Sequence, residues 1–171
     1  MEYKRYAAPV KLRVKRGEYE QVTSFLKGSH TLGTITGPTS CGKSTFALLE
    51  ALNTGASMLL IQPSGANIAN VMLEFKSRIP AIVKQNGLPY KLPTVAHNSF
   101  VGSVDSPAQL NICDSGDFVS FFDRFGTYPP VDIIVLDEYH LSTRSHIVSR
   151  MLLLHLSPKA RPPKVFLVSA T

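Results

Sequence analysis

Short apolar runs recur along this chain without the alternation of polar positions that a half-exposed sheet would show. They are "TLGTIT" (31–36), "SMLLIQP" (57–63), "VDIIVLDEYH" (131–140) and "KVFLVSAT" (164–171), with a shorter candidate in "QLNIC" (109–113). Strands buried on both faces read this way, and they occur where helices cover both sides of a parallel sheet. Segments with helix-like spacing separate them: "EYEQVTSFLK" ending at Gly28, "KSTFALLEALNTG" with Gly55 as its stop, "GANIANVMLEFKSRIP" closed by Pro80, "GDFVSFFDRF" and "RSHIVSRMLLLHL". This alternation predicts an α/β domain with a mostly parallel sheet sandwiched by helices. Residues 81–108 carry three further prolines and several turn signals, which predict an irregular crossover with a short strand near Val95 or Phe100.

The 171 residues suffice for one sizeable core and are short for two. With 44% hydrophobic and 18% charged residues the composition is that of a globular domain, which excludes a disordered chain. No apolar run approaches the ~18 residues that cross a bilayer, and the opening "MEYKRYAAPVKLRVKR" lacks the apolar centre of a signal peptide. Cys41 and Cys113 lie in different motifs and suggest no disulfide framework, so a reducing, cytoplasmic location is expected. Most of the +6 net charge sits at the start, where residues 1–16 carry six Lys/Arg against Glu2. Such an arm binds polyanions through counterion release, or is a solvated tail or linker. The domain reading is therefore a basic arm and lead-in helix over 1–28, then the α/β domain over 29–171.

After the first apolar run comes Gly37-Pro38-Thr39-Ser40-Cys41-Gly42-Lys43-Ser44, followed by Thr45 and a helix, which fits G-x-x-x-x-G-K-[ST] at every fixed position. The chemistry requires these residue types. Gly42 allows a close backbone approach that a Cβ would obstruct, and successive N–H groups with the helix N-terminus then face phosphate oxygens. Lys43 would reach the β- and γ-phosphates, and the Ser44 hydroxyl would ligate Mg²⁺. Nothing in this chemistry needs Cys41, which reads as a small loop residue. In sheets of this kind ligands bind beyond the carboxyl ends of the strands, where the candidate motifs fall. Asp137 and Glu138 end the run "DIIVLDEYH" at such a position. Asp137 is the candidate carboxylate for Mg²⁺, and Glu138 the candidate for polarising the attacking water.

"GPTSCGKST", "DEYH" and the closing "SAT" resemble, in order, motifs I, II and III of the DExH branch of superfamily 2 helicases. "LLIQPSGANIANV" resembles the motif Ia segment, and "NICDSGDFVSFF" stands where these proteins carry their next strand-contacting segment. The likeness covers roughly residues 30–171 and is greatest to positive-strand RNA virus helicases of the hepacivirus, potyvirus and hypovirus kinds. It implies a RecA-like P-loop NTPase fold, with ATP or another NTP and Mg²⁺ bound by Gly37–Thr45 and Asp137, and Glu138 as catalytic base. It further implies that Pro63, Ser64 and Gly65 touch the backbone of single-stranded RNA, and that Asp114, Ser115 and Gly116 lie at a second contact. The acidic Asp114 departs from the family pattern there. His140 would contact the neighbouring lobe or Ser169, Ala170 and Thr171, coupling hydrolysis to strand movement.

On this likeness the chain is the first of two RecA-like lobes, the second belonging to the same polyprotein and supplying the arginine finger. It would work in the host cytoplasm, at membrane-associated replication sites, if viral. A DNA translocase lobe and a non-enzymatic RNA- or partner-binding module that retains the fold are the alternatives. The remaining residues read more plainly. Gln21 is expected on a helix surface, and His97, His146 and His155 have no partners at metal-ligand spacing. His146 and His155 are expected as surface or packed side chains, and Phe118, Phe121 and Phe122 as core residues. Phe125 is a core residue or a stacking platform, and "SPKARPPK" (157–164) a solvated basic loop.

Overall fold

A computed structural model of the chain describes residues 3–4, 10–13, 19–36, 43–98, 108–141, 143–155, 157–158 and 162–169. Its centre is a seven-stranded sheet in which every pairing is parallel. The strands are β2 (Val10–Arg13), β3 (Leu32–Thr36), β4 (Met58–Gln62), β5 (Val95–His97), β6 (Leu110–Asp114), β7 (Ile133–Asp137) and β9 (Lys164–Ser169). Two short strands, β1 (Tyr3–Lys4) and β8 (Ser157–Pro158), pair antiparallel with each other. The order across the large sheet is β2-β3-β9-β7-β4-β6-β5. The helices are α1 (Glu20–Lys27), α2 (Lys43–Leu52), α3 (Gly65–Leu73), α4 (Ile79–Gln85), α5 (Ser115–Phe125) and α6 (Arg144–His155). The arrangement is consistent with a RecA-like α/β fold. Among the described residues no helix is long and apolar enough to cross a membrane.

The continuous apolar strands have two destinations. Met58 and Leu60 of β4, Ile133 and Val135 of β7, and Phe166 and Val168 of β9 pack with α1, α2 and α3 on one face. Their neighbours Leu59, Ile61, Ile134, Leu136, Val165 and Leu167 pack with α5 and α6 on the other, around Phe118, Phe121 and Leu153. Because successive side chains on a strand point to opposite faces, a sheet covered on both sides needs apolar residues at consecutive positions. Asp137 follows Ile133 and Val135 on its strand and so emerges on the α2 face.

The helix that the sequence reading closed at Pro80 continues. α3 runs into a π-turn over Glu74–Arg78, in which the Ile79 N–H bonds to the Glu74 carbonyl, and α4 follows directly. A proline deep in a regular helix removes one bond and strikes the carbonyl four residues back. Here the wider turn restarts the helix, so Pro80 falls in the first turn of α4, where its missing N–H is tolerated. Ile79 and Val83 then pack against Leu49 of α2. The irregular crossover is therefore helical as far as Gln85, and its short strand is β5 at Val95; Phe100 lies outside the described residues. A second difference lies within the basic segment. Val10–Arg13 forms the edge strand beside β3, with Leu12 buried and Lys11 exposed.

Candidate active site

β7 ends at Asp137, and the chain turns at once. Glu138 adopts φ 53°, in the left-handed region that a non-glycine residue rarely occupies, and Leu141 N–H closes the turn on the Glu138 carbonyl at 3.0 Å. The Asp137 carboxylate is held on both oxygens: Oδ1 accepts from the Glu138 N–H at 2.9 Å, and Oδ2 accepts from Gln62 Nε2 at 3.0 Å. Gln62 ends β4, the strand beside β7, and is itself buried. A cleft of ≈ 210 Å³ adjoins the two acids. Thr45 and Leu48 of α2 line it, as do Asn70 and Val71 of α3 and Glu74, Phe75 and Arg78 of the π-turn.

Burial raises the Asp137 carboxyl above the ordinary value of 3.8, opposed by Gln62, the Glu138 N–H and the two histidines His146 and His140. Burial also raises Glu138, with the Asp137 charge adding to it and His140 opposing. A carboxyl displaced upward is a stronger proton acceptor, the direction a general base requires. The shift has a consequence for folding. The native state holds a proton on Asp137 more tightly than the unfolded chain does, so this residue's contribution to stability falls as pH rises from 3.8 through the native pKa. Asp137→Asn removes that titration. The unfolding free energy of D137N relative to the wild type is expected to increase as pH rises, read from urea denaturation at steps between about pH 4 and pH 7. A relative value that stays level, or declines, would contradict the raised pKa.

The turn bearing the acids is tied to its surroundings on several sides. Tyr139 N–H donates to the Val168 carbonyl of β9 at 3.1 Å, and Arg150 Nη1 donates to the Tyr139 carbonyl at 2.5 Å. His146 Nε2 lies 3.0 Å from the Glu138 carbonyl, and its Nδ1 lies 2.5 Å from the Ser115 hydroxyl. His146 and Arg150 stand four apart on α6, which sets them on one helix face. Burial lowers the pKa of His146 and favours the neutral ring. His140 faces outward from the same turn, with Nε2 3.5 Å from Glu138 Oε2 and Nδ1 3.2 Å from the Ser169 hydroxyl.

No protein-family model matches the chain, and no curated protein matches it in sequence. Reading the site therefore depends on its residues and their geometry.

Of the residues singled out in the sequence, Asp137, Glu138, His140 and Ser169 come together at the carboxyl edge of β7 and β9. Gly37, Pro38, Thr39, Ser40, Cys41 and Gly42 lie outside the described residues, as do Ala170 and Thr171. Lys43 and Ser44 open α2, whose Thr45 reaches the cleft. Pro63 is buried, whereas Ser64 and Gly65 are exposed at the start of α3, and the Ser64 hydroxyl donates to Asn67 Oδ1 at 2.7 Å. Asp114 and Ser115 are engaged within the protein. Asp114 caps α5, accepting from the Asp117 N–H at 2.8 Å, and Asp117 reciprocates to the Asp114 N–H. The Ser115 side chain is fully buried against His146.

The plainer expectations can be placed as well. Phe118 and Phe121 are buried, Phe122 packs against them, and Phe125 is partly exposed and tilted on Phe121. Gln21 is exposed on α1, and Cys113 is a buried free thiol. The sequence reading missed Gln62 and His146. Gln62 carried a signal, being a polar residue that ends an otherwise apolar buried run. His146 carried none that periodicity could separate from an ordinary packed histidine.

Proposed function

We propose that this chain is the ATP-binding lobe of an ATP-dependent RNA helicase that couples NTP hydrolysis to movement along single-stranded RNA and to duplex unwinding. The observation that carries the reading is one of placement: Asp137 and Glu138 stand at the carboxyl edge of a parallel sheet, on the face of the helix that opens with Lys43-Ser44. The loop pattern at residues 37–44 and the Asp-Glu-x-His order support it further.

In this reading the loop amides and Lys43 hold the triphosphate, and Glu138 accepts a proton from the attacking water. Ser44 and Asp137 would hold Mg²⁺, which neutralises charge on the phosphate oxygens. Their oxygen donors suit that hard cation, and a buried carboxylate is the kind a cation stabilises. The His140–Ser169 contact links the acid turn to β9 and serves as the coupling element, with Ala170 and Thr171 next in the chain. Pro63, Ser64 and Gly65 hold the RNA backbone, so movement is largely independent of sequence. A second RecA-like lobe of the same polyprotein closes on the nucleotide and supplies the arginine, whose loss costs ~10³-fold or more in turnover. The lobe acts in the cytoplasm.

The test is nucleotide binding. Lys43→Ala is expected to weaken Mg-ATP binding by about tenfold to a hundredfold, measured by titration with a fluorescent ATP analogue, since it deletes charge-assisted contacts to phosphate. Unchanged affinity would favour a non-enzymatic module. With the second lobe present, stimulation of hydrolysis by DNA and not by RNA would instead favour a DNA translocase.

A further inference from the structure

Glu138 is held in a backbone conformation that costs free energy, and the groups holding it can be traced. A non-glycine residue at φ 53° persists when its surroundings over-determine it. The Glu138 carbonyl accepts from two donors, the Leu141 N–H within the turn and the His146 ring from α6. A carbonyl oxygen only accepts, so His146 Nε2 carries the proton of that contact. In the neutral ring Nδ1 then presents a lone pair, and the group facing it is a hydroxyl, Ser115 Oγ, at 2.5 Å. The one Ser115 hydroxyl proton has a second acceptor in reach, the carbonyl of Gln62 at 3.4 Å, whose side chain holds Asp137; the contact to Nδ1 is much the shorter of the two. His146 and Ser115 are both fully buried, so water does not compete for these contacts. Three elements thus converge on the two acids: the end of β4, the start of α5 and the inner face of α6.

We propose that His146 is a positioning residue for Glu138: the Glu138 carbonyl requires the Nε2–H tautomer, the Ser115 hydroxyl holds the ring in place from Nδ1, and the Nε2–H pins the left-handed turn that aims the carboxylate. As a statement about catalysis this rests on the reading of Glu138 as base; as a statement about the backbone it does not. An imidazole in the other tautomer would set a lone pair against the Glu138 carbonyl, so that carbonyl selects the Nε2–H form, and the Ser115 hydroxyl, able to donate or accept, serves Nδ1 as donor. His146→Leu removes the donor. His146→Gln keeps one, because the glutamine amide reaches roughly as far as Nε2 and donates to the same carbonyl.

The experiment uses the ¹⁵N-labelled chain. Long-range ¹H–¹⁵N spectra are expected to show His146 as the Nε2–H tautomer; the Nδ1–H form, or a ring protonated on both nitrogens, would overturn the proposal. Amide exchange at Leu141, bonded to the same carbonyl, is expected to quicken by about tenfold in H146L and to stay within about threefold of wild type in H146Q. Mg-ATP turnover, read with the second lobe present, is expected to drop by about tenfold in H146L with nucleotide affinity held within about twofold, and to recover in H146Q. Leu141 exchange in H146L equal to the wild type would overturn the proposal. If H146L does not fold, Ser115→Ala decides the matter. There the Nε2–H tautomer with faster Leu141 exchange supports the proposal, because the ring has lost its hold at Nδ1, and an unchanged exchange rate overturns it. If the two-lobe wild type does not hydrolyse ATP while the Leu141 contrast holds, the reading of Glu138 as base falls and the backbone role of His146 is supported.

Discussion

Glu138→Gln is expected to lower Mg-ATP turnover by about two to four orders of magnitude in the proposed two-lobe protein, leaving nucleotide affinity within about threefold of the wild type. The substitution keeps the shape of the side chain and removes its ability to accept a proton. Affinity should persist because the contacts expected for the triphosphate come from residues 37–45, and Asp137 keeps its partners Gln62 and the Glu138 N–H. Steady-state phosphate release at saturating Mg-ATP, with a parallel binding titration, checks both halves. Turnover that survives the change would remove Glu138 from the base role. The expected effect is large because, in the proposed role, general base catalysis is lost outright, whereas replacing His146 leaves the carboxylate in place and only loosens its aim.

The largest expected effect on stability comes from the middle of the sheet. Phe166→Ala should destabilise the fold by about 3–5 kcal/mol, measured as a shift in the urea midpoint with an unchanged slope. Phe166 is fully buried on β9, opposite Gly33 of β3 and Val135 of β7 in the register. Its ring meets that of Phe25 from α1, with centroids 5.0 Å apart. Gly33 makes the room for this pair, since a Cβ there would lie 3.2 Å from the Phe25 ring. Truncating Phe166 therefore leaves a void that Gly33 cannot help to fill. A loss below about 1 kcal/mol would mean that the site collapses without a cavity.

The architecture was legible because a sheet buried on both faces leaves its mark in consecutive residues. Met58 to Ile61 and Ile133 to Leu136 have no polar position to mislead a reader, and each becomes a strand with alternate residues in opposite cores. Asp137 was legible for the same reason, as the first charge after such a run. What escaped depended on partners distant in sequence. Gln62 and Asp137 lie 75 residues apart and meet because β4 and β7 are neighbours. Ser115 and His146 meet because α5 and α6 share a face of the sheet. Pro80 misled because proline ends a regular helix, and the π-turn that accommodates it is a change of register with no compositional mark. Val10–Arg13 misled because a four-residue strand with Leu12 as its buried contact is hidden among basic residues.

The position of β9 bears on how the chain comes to be assembled on the ribosome. β9 is the last described strand in sequence, yet it lies between β3 and β7, near the middle of the sheet. Until it is synthesised, β2 and β3 on one side and β7, β4, β6 and β5 on the other have no strand to join them, and both halves present open edges. Synthesis at about 5–20 residues per second leaves such edges uncovered for several seconds, an interval in which a nascent chain is prone to pair with its neighbours. Placing β9 brings β3, the strand before residues 37–44, into line with β7, the strand that carries the acids.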